Sequence, residues 1–299
     1  MERGRTRLLV WMLIAASLFV PTQRLLAQGL LSSLGESVRT PSAASQPSAD
    51  ESTSNRKSGK RWHLSDSEHE YDDDDSDNWF GLLLVGGAVV AVTAPIWMPI
   101  MIARDDYSSA GYFPEYPYQH GIGGYMMIDP WVPSEPFTYS LQTRAEFADN
   151  FSGISRIGTH LLFDTTTRFG IEGEVNYWRE SLGIGQHDDL WTGDANLVFR
   201  FAQSEWMQMR TGLGMNWLAD DIGTDLGFNF TYQGDFFPAD PWIISAELDL
   251  GSLGDETLVH GRVTTGLHWH RAEVFIGYDY YKVDQTELSG FLSGLRLWF

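Results

Sequence analysis

From Phe137 to the final residue, Phe299, the chain alternates apolar and polar residues with a period of two, in ten short segments. The last sets Phe291, Leu295, Leu297 and Phe299 on one side and Gly294 and Arg296 on the other. An earlier one sets Leu226, Phe228, Phe230 and Tyr232 against Asn229, Thr231, Gln233 and Asp235. Successive side chains of a strand point to opposite faces, whereas a helical period of about 3.6 would mix the two sets within one turn. The segments are near the roughly 9–11 residues that a strand needs to cross a bilayer. Ten apolar faces in a row, with short turns and no helix between them, call for an apolar medium. A closed barrel in a bilayer supplies it, because closure pairs every backbone group and lipid meets the outer face. The expected fold is all-β, a closed antiparallel up-and-down transmembrane barrel of about ten strands. Trp191, Phe201, Trp217, Tyr232, Trp242, Trp269 and Trp298 fall near segment ends, as interfacial girdles should. The rival is a soluble β-sandwich or soluble barrel, which would have to hide these aromatics without a second layer.

The same alternation assigns a lumen-facing polar set: Arg144, Glu146, Arg156, His160, Glu172, Glu174, Asp194, Arg200, Arg210, Glu247, Asp249, His260, Arg262, His268, Asp279 and Arg296, with Asp164 among the acids. Eight strands are just filled by side chains, and an aqueous channel needs about 16–18, so ten strands enclose a narrow space. Charged groups there are expected to satisfy one another as buried ion pairs, since lone charges would be costly. A narrow path for ions or small solutes is the alternative. An enzyme would need a nucleophile or a metal site. His260, His268 and His270 share one inward face, which could bind zinc or serve as a general base, but polar inward residues need no catalytic reason. His187-Asp188-Asp189 is the one local candidate for a rim hydrolase. No catalytic residue, metal site or cofactor is assigned. The upper loops expected near Asp149–Gly153, Glu180–Asp189, Leu218–Thr224, Gly251–Glu256 and Val283–Glu287 are short, which argues against a receptor or adhesin.

The N-terminus carries a basic start, an apolar run from Leu8 to Val20 and a small residue at Ala27. That is the pattern of a secretory signal peptide over residues 1–27. With no Cys in the chain, a lipoprotein signal, disulfides and thiolate metal sites are excluded. The formal charge of −20 becomes about −23 once four arginines and one glutamate leave with the signal, so nucleic acid is not an expected partner. Residues 28–78 read as a disordered acidic linker, ending in the run from Glu68 to Asp77. Divalent cations at the acidic loops are a conceivable partner. Trp79 to Ala103 is uncharged and long enough for a spanning helix, but Pro95 and Pro99 should shorten any straight helix to about Phe80–Ala94. It reads as a plug, a flanking helix, added strands or an anchor. Residues 104–136 form a Pro- and Tyr-rich connector whose Tyr112, Phe113, Tyr116 and Tyr118 suit a barrel rim.

These features together resemble the bacterial outer-membrane β-barrel proteins as a broad class of small barrels with eight to ten strands. The resemblance covers residues 137–299 and is carried by the signal peptide, the alternating segments and the terminal Leu295-Arg296-Leu297-Trp298-Phe299. It implies export to the outer membrane of a Gram-negative-type bacterium, with lipid and the barrel-assembly machinery as partners and Phe299 as the assembly signal. It implies a role in envelope structure or as a minor pore, and carries over no substrate.

Overall fold

A computed structural model describes residues 29–39, 93–129, 136–183 and 185–299. Helix α1 is Leu30–Arg39, and residues 93–103 form helix α2. A small two-stranded sheet pairs β1 (Gly111–Tyr112) with β2 (Met127–Ile128). Ten antiparallel strands follow: β3 Tyr139–Asp149, β4 Ile154–Thr165, β5 Phe169–Gly183, β6 Gln186–Gln203, β7 Met207–Ala219, β8 Thr224–Ala239, β9 Trp242–Leu253, β10 Glu256–Trp269, β11 Ala272–Val283 and β12 Thr286–Trp298. Each pairs with its sequence neighbours, and β12 pairs with β3 to close the ring. Beyond β12, the Phe299 and Leu141 backbones exchange two hydrogen bonds of 2.9 Å, which extends that seam to the last residue.

The expected closed barrel is therefore the fold, and its outer wall is apolar. Ile157, Ile171, Leu197, Leu213, Phe228, Val274, Ile276 and Leu295 are each between 53% and 62% exposed. Side chains of this kind would be the core of a soluble sheet protein. Aromatics gather at both ends of the wall. Near the end holding the chain terminus, Phe169 packs on Phe199 at 5.1 Å between ring centroids, and Tyr139 on Phe163 at 5.9 Å. Near the other end, Tyr177 packs on Trp191 at 4.9 Å and Tyr278 on Phe291 at 5.6 Å. Phe169 and Tyr177 lie on one strand, roughly 27 Å apart along it. With the usual tilt of roughly 40°, that is about 21 Å along the barrel axis, so the two belts fit within the ~25 Å apolar band of a membrane barrel.

Two N-terminal expectations change. Leu30–Arg39, counted above with the disordered linker, is a helix whose Leu31, Leu34 and Val38 are buried. Its i, i+3, i+7 spacing puts these three on one face, and the barrel mouth supplies the apolar partner that an isolated ten-residue helix lacks. The signal peptide, most of the acidic linker and Phe80–Val92 lie outside the described residues. Helix α2 runs through Pro95 and Pro99 rather than ending before them. Pro95 falls in the first turn of the described helix, where an N–H would have no ladder partner, and Pro99 removes one donor, a loss that does not end the helix. It ends instead in a Schellman closure at Arg104, whose φ is +57°: Asp105 N–H donates to Ile100 O at 3.1 Å and Arg104 N–H to Met101 O at 3.2 Å. Ile100 and Ala103 pack on the wall cluster of Phe201, Met207 and Met209. Among the described residues no helix is long and apolar enough to cross a membrane, which says nothing of the strands.

Candidate functional site

The lumen is built in three layers. Its middle layer is a knot of ion pairs centred on Glu174 of β5. Both nitrogens of the Arg262 fork, from β10, reach the two Glu174 oxygens at 2.7 Å. In the ring order β5 and β10 stand half a circuit apart, so this bidentate pair crosses the barrel. Arg144 reaches Glu174 at 2.6 Å, and Arg156 reaches Glu146 at 2.6 Å and Asp279 at 3.2 Å. Arg262 also meets Glu146, Glu247 and Asp279 at 3.1 Å. His260 bridges Asp249 at 2.8 Å and Asp279 at 3.0 Å. Amides extend the knot: Asn196 joins Glu172 at 3.1 Å and Asp194 at 2.9 Å, and Gln233 reaches Glu172 at 2.5 Å. His160 lies 3.6 Å from Glu172. Every charge that would be costly alone in a low-dielectric space has an opposite partner or a polar neighbour.

The layer toward the chain terminus joins Asp164 to Arg200 at 2.5 Å and to Arg210 at 3.0 Å, and Arg210 to Asp235 at 2.7 Å. Arg296 lies 3.3 Å from Glu273 and 3.5 Å from Asp235. Below it, Phe113, Tyr125 and Met126 pack on Phe237, Ile243 and Trp298 and close this mouth; the Tyr125 and Trp298 rings are 4.5 Å apart. Tyr118 joins this floor and Tyr116 stacks on His268, so part of the connector meets the rim. His268 is buried beside the His270 carbonyl, away from the central knot.

The connector is latched by Asp105, which receives both Arg168 nitrogens at 2.5 and 2.8 Å and the Gln203 and Tyr107 amides at 3.0 Å. Burial opposes ionisation of Asp105, but these donors outweigh it and hold the carboxyl below its usual range. A depressed carboxylate stabilises above its unfolded value, about pH 3.9, and loses that contribution as pH falls through the folded value. The latch should therefore hold at pH 5 and loosen below about pH 4. Asp105→Asn should cost about 2 kcal/mol and release the connector at neutral pH. Faster proteolysis of residues 104–129 checks this; unchanged cleavage would count against the latch.

The third layer, at the loop mouth, breaks the polar-inside rule. Trp178, Leu190, Leu218, Leu253, Leu258 and Leu288 all point inward and are buried around Leu31, Leu34 and Val38 of α1. Polar contacts hold the helix at the rim. Leu31 N–H donates to Glu180 at 2.9 Å, Ser32 bonds Asp188, and Arg39 pairs with Asp220 at 2.8 Å and Asp225 at 2.9 Å. Burial works against the Asp220 carboxylate, yet Arg39 and the Ile222 and Gly223 amides hold it below its usual range. Two glycines permit the close fit. A Cβ on Gly35 would stand 2.5 Å from the Asp220 carboxylate, and one on Gly254 (φ +57°) 2.5 Å from the Val38 carbonyl.

The arrangement leaves little room for chemistry. Glu247, Asp249 and His260 place possible metal-ligand atoms within 4.8 Å of one another. Each is already engaged, Glu247 by Arg144 and Arg262 and His260 through both ring nitrogens, so a metal would have to displace cations. His187 is exposed on the rim, 3.6 Å from Asp189. Its neighbouring carboxylates are held elsewhere, Asp189 by Arg179 at 3.0 Å and Asp188 by Ser32. The cavity within the knot, lined by Gln142, Arg144, His160, Gln233, Glu247 and Arg262 among others, is about 30 Å³. That suits a few waters at most.

The alternation put Asp235 and Glu273 on the polar side, yet the named lumen set left them out, and the apolar collar was missed. The collar's signal was there, as paired apolar residues at strand ends: Tyr177-Trp178, Leu190-Trp191, Trp217-Leu218 and Leu258-Val259. No known family model matches the chain, and no curated protein matches it. Among solved structures, two of the outer-membrane protein Ail of Yersinia pestis are similar, both 14% identical over 54% of this chain. A backbone structure in a phospholipid bilayer nanodisc is covered over 99% of its length with a TM-score of 0.32. A crystal structure of Ail, described as the attachment invasion locus protein, is covered over 96% with a TM-score of 0.27.

Proposed function

We propose that this protein is an outer-membrane β-barrel with a structural role in the envelope and a lumen sealed by its own side chains. The apolar wall between two aromatic belts supports the membrane setting. The observation that carries the sealed-lumen reading is the Arg262–Glu174 pair, which crosses the barrel from β10 to β5 and stands in the way of a solute column. A pore needs a continuous wet path, and here the space within the knot amounts to a few waters. Folded in phosphocholine vesicles, the protein should resist carbonate extraction and migrate faster on gels before boiling than after. In planar bilayers it should give no steady current above background. Recovery in the carbonate-soluble fraction would end the membrane reading. Steady conductance would favour a narrow channel for ions or small solutes instead, with the knot opening under voltage. The rim-hydrolase reading has less support, because the carboxylates next to His187 are already paired.

A further inference from the structure

We infer that the loop-side mouth is a binding cup for a basic amphipathic helix, and that α1 fills it as a weakly matched resident. The cup is blind: apolar walls lead down to the ion-pair knot, not to a passage. A mouth open to water has no physical use for Trp178 and five inward leucines unless something apolar sits there. What sits there is a helix, anchored by Leu31, Leu34 and Val38 in the collar and by Arg39, Ser32 and the Leu31 amide at the rim, with no backbone ladder.

The charges, however, are poorly matched. Glu180, Asp188, Asp220 and Asp225 all face α1, which answers them with one cation, Arg39. Among the described residues Asp188 receives the Ser32 hydroxyl and pairs with no cation. Glu180 takes the Leu31 amide on one oxygen, and its other oxygen is buried without a hydrogen bond. Glu36, one turn on from Ser32, adds a further negative charge to the helix. A helix with the same Leu-x-x-Leu-x-x-x-Val face, but with lysine in place of Ser32 and Glu36, would keep the apolar fit and raise the number of cations from one to three. Opposite charge across an interface raises both affinity and encounter rate. The occupant selected by this mouth is therefore a basic amphipathic helix from another polypeptide, with which α1 competes for the collar.

The absence of cysteine from the chain allows a direct test. Leu34 is fully buried under the collar, so a Leu34→Cys full-length variant should react slowly with a membrane-impermeant maleimide while α1 is docked. The probe is a synthetic Leu30–Arg39 peptide carrying Ser32→Lys and Glu36→Lys, added to the protein in phosphocholine vesicles, which lack net charge. It should raise the labelling rate at least tenfold by displacing α1. The unmodified peptide should need about ten times the concentration. Asp220→Asn with Asp225→Asn in the barrel should raise basal labelling and weaken the preference for the basic peptide. If Leu34→Cys itself undocks the helix, Val38→Cys serves as the reporter. Fast labelling of both reporters without peptide would overturn the resident role of α1. Unchanged labelling with the basic peptide, or equal potency of the two peptides, would overturn the basic-helix partner. These outcomes are independent of the conductance result, since the cup lies above the seal.

Discussion

Arg262→Ala should destabilise the folded barrel by about 3–5 kcal/mol, the usual cost of removing one partner from a buried charge network. Arg262 contacts Glu146, Glu174, Glu247 and Asp279, on β3, β5, β9 and β11. Its loss leaves Glu174 with Arg144 at 2.6 Å and Arg156 at 3.4 Å, and takes from Glu247 its closest cation. The lumen then holds an uncompensated negative charge in a space too small for much water. Urea unfolding in vesicles, followed by the gel shift between folded and unfolded bands, measures the effect. Arg262→Met combined with Glu174→Gln should cost less than the sum of the two single changes, because one change removes the charge the other left stranded. A loss below about 1 kcal/mol for Arg262→Ala would mean that the knot contributes little.

Leu213→Arg should have an effect of similar size for the opposite reason. Leu213 sits midway along β7, is 57% exposed and has Phe230 of β8 as its cross-strand neighbour. On the surface of a soluble protein such a change is worth within about 0.5 kcal/mol. On the lipid face of a barrel near the midplane it costs about 2–4 kcal/mol. The same substitution at Ile222, in the turn after β7, should be near neutral, because that turn lies outside the apolar band. Urea midpoints for the two variants, measured in the same vesicles, separate the outcomes. Equal, small effects at both sites would show that the wall does not face lipid.

The barrel was legible because its signal repeats. Each strand carries the two-residue rhythm, and a slip of one residue would turn Leu213 and Arg210 to the wrong faces together, so the register is specified many times over. The pairing of charges across the lumen was legible only in kind. That Glu174 would meet Arg262 depends on ring order and tilt, which no single strand encodes. The collar was hidden because alternation treats Leu190 and Leu218 as errors in a polar row, whereas the structure gives them a partner more than a hundred residues away, at Leu31–Val38. Helix α1 was hidden for the same reason. Leu31, Leu34 and Val38 are too few apolar residues to stabilise a helix alone, and only the mouth makes their spacing meaningful. Asp105 looked like one more acid in a loop. Its role emerges only where the β4–β5 turn brings Arg168 to it.

Phe299 and Leu141 exchange two backbone hydrogen bonds beyond the end of β12, so the circle is fastened one residue past its last strand. A barrel shortened by Phe299 should keep its ten staves but leave the Leu141 amide and carbonyl unpaired at that lip, and its urea midpoint should fall.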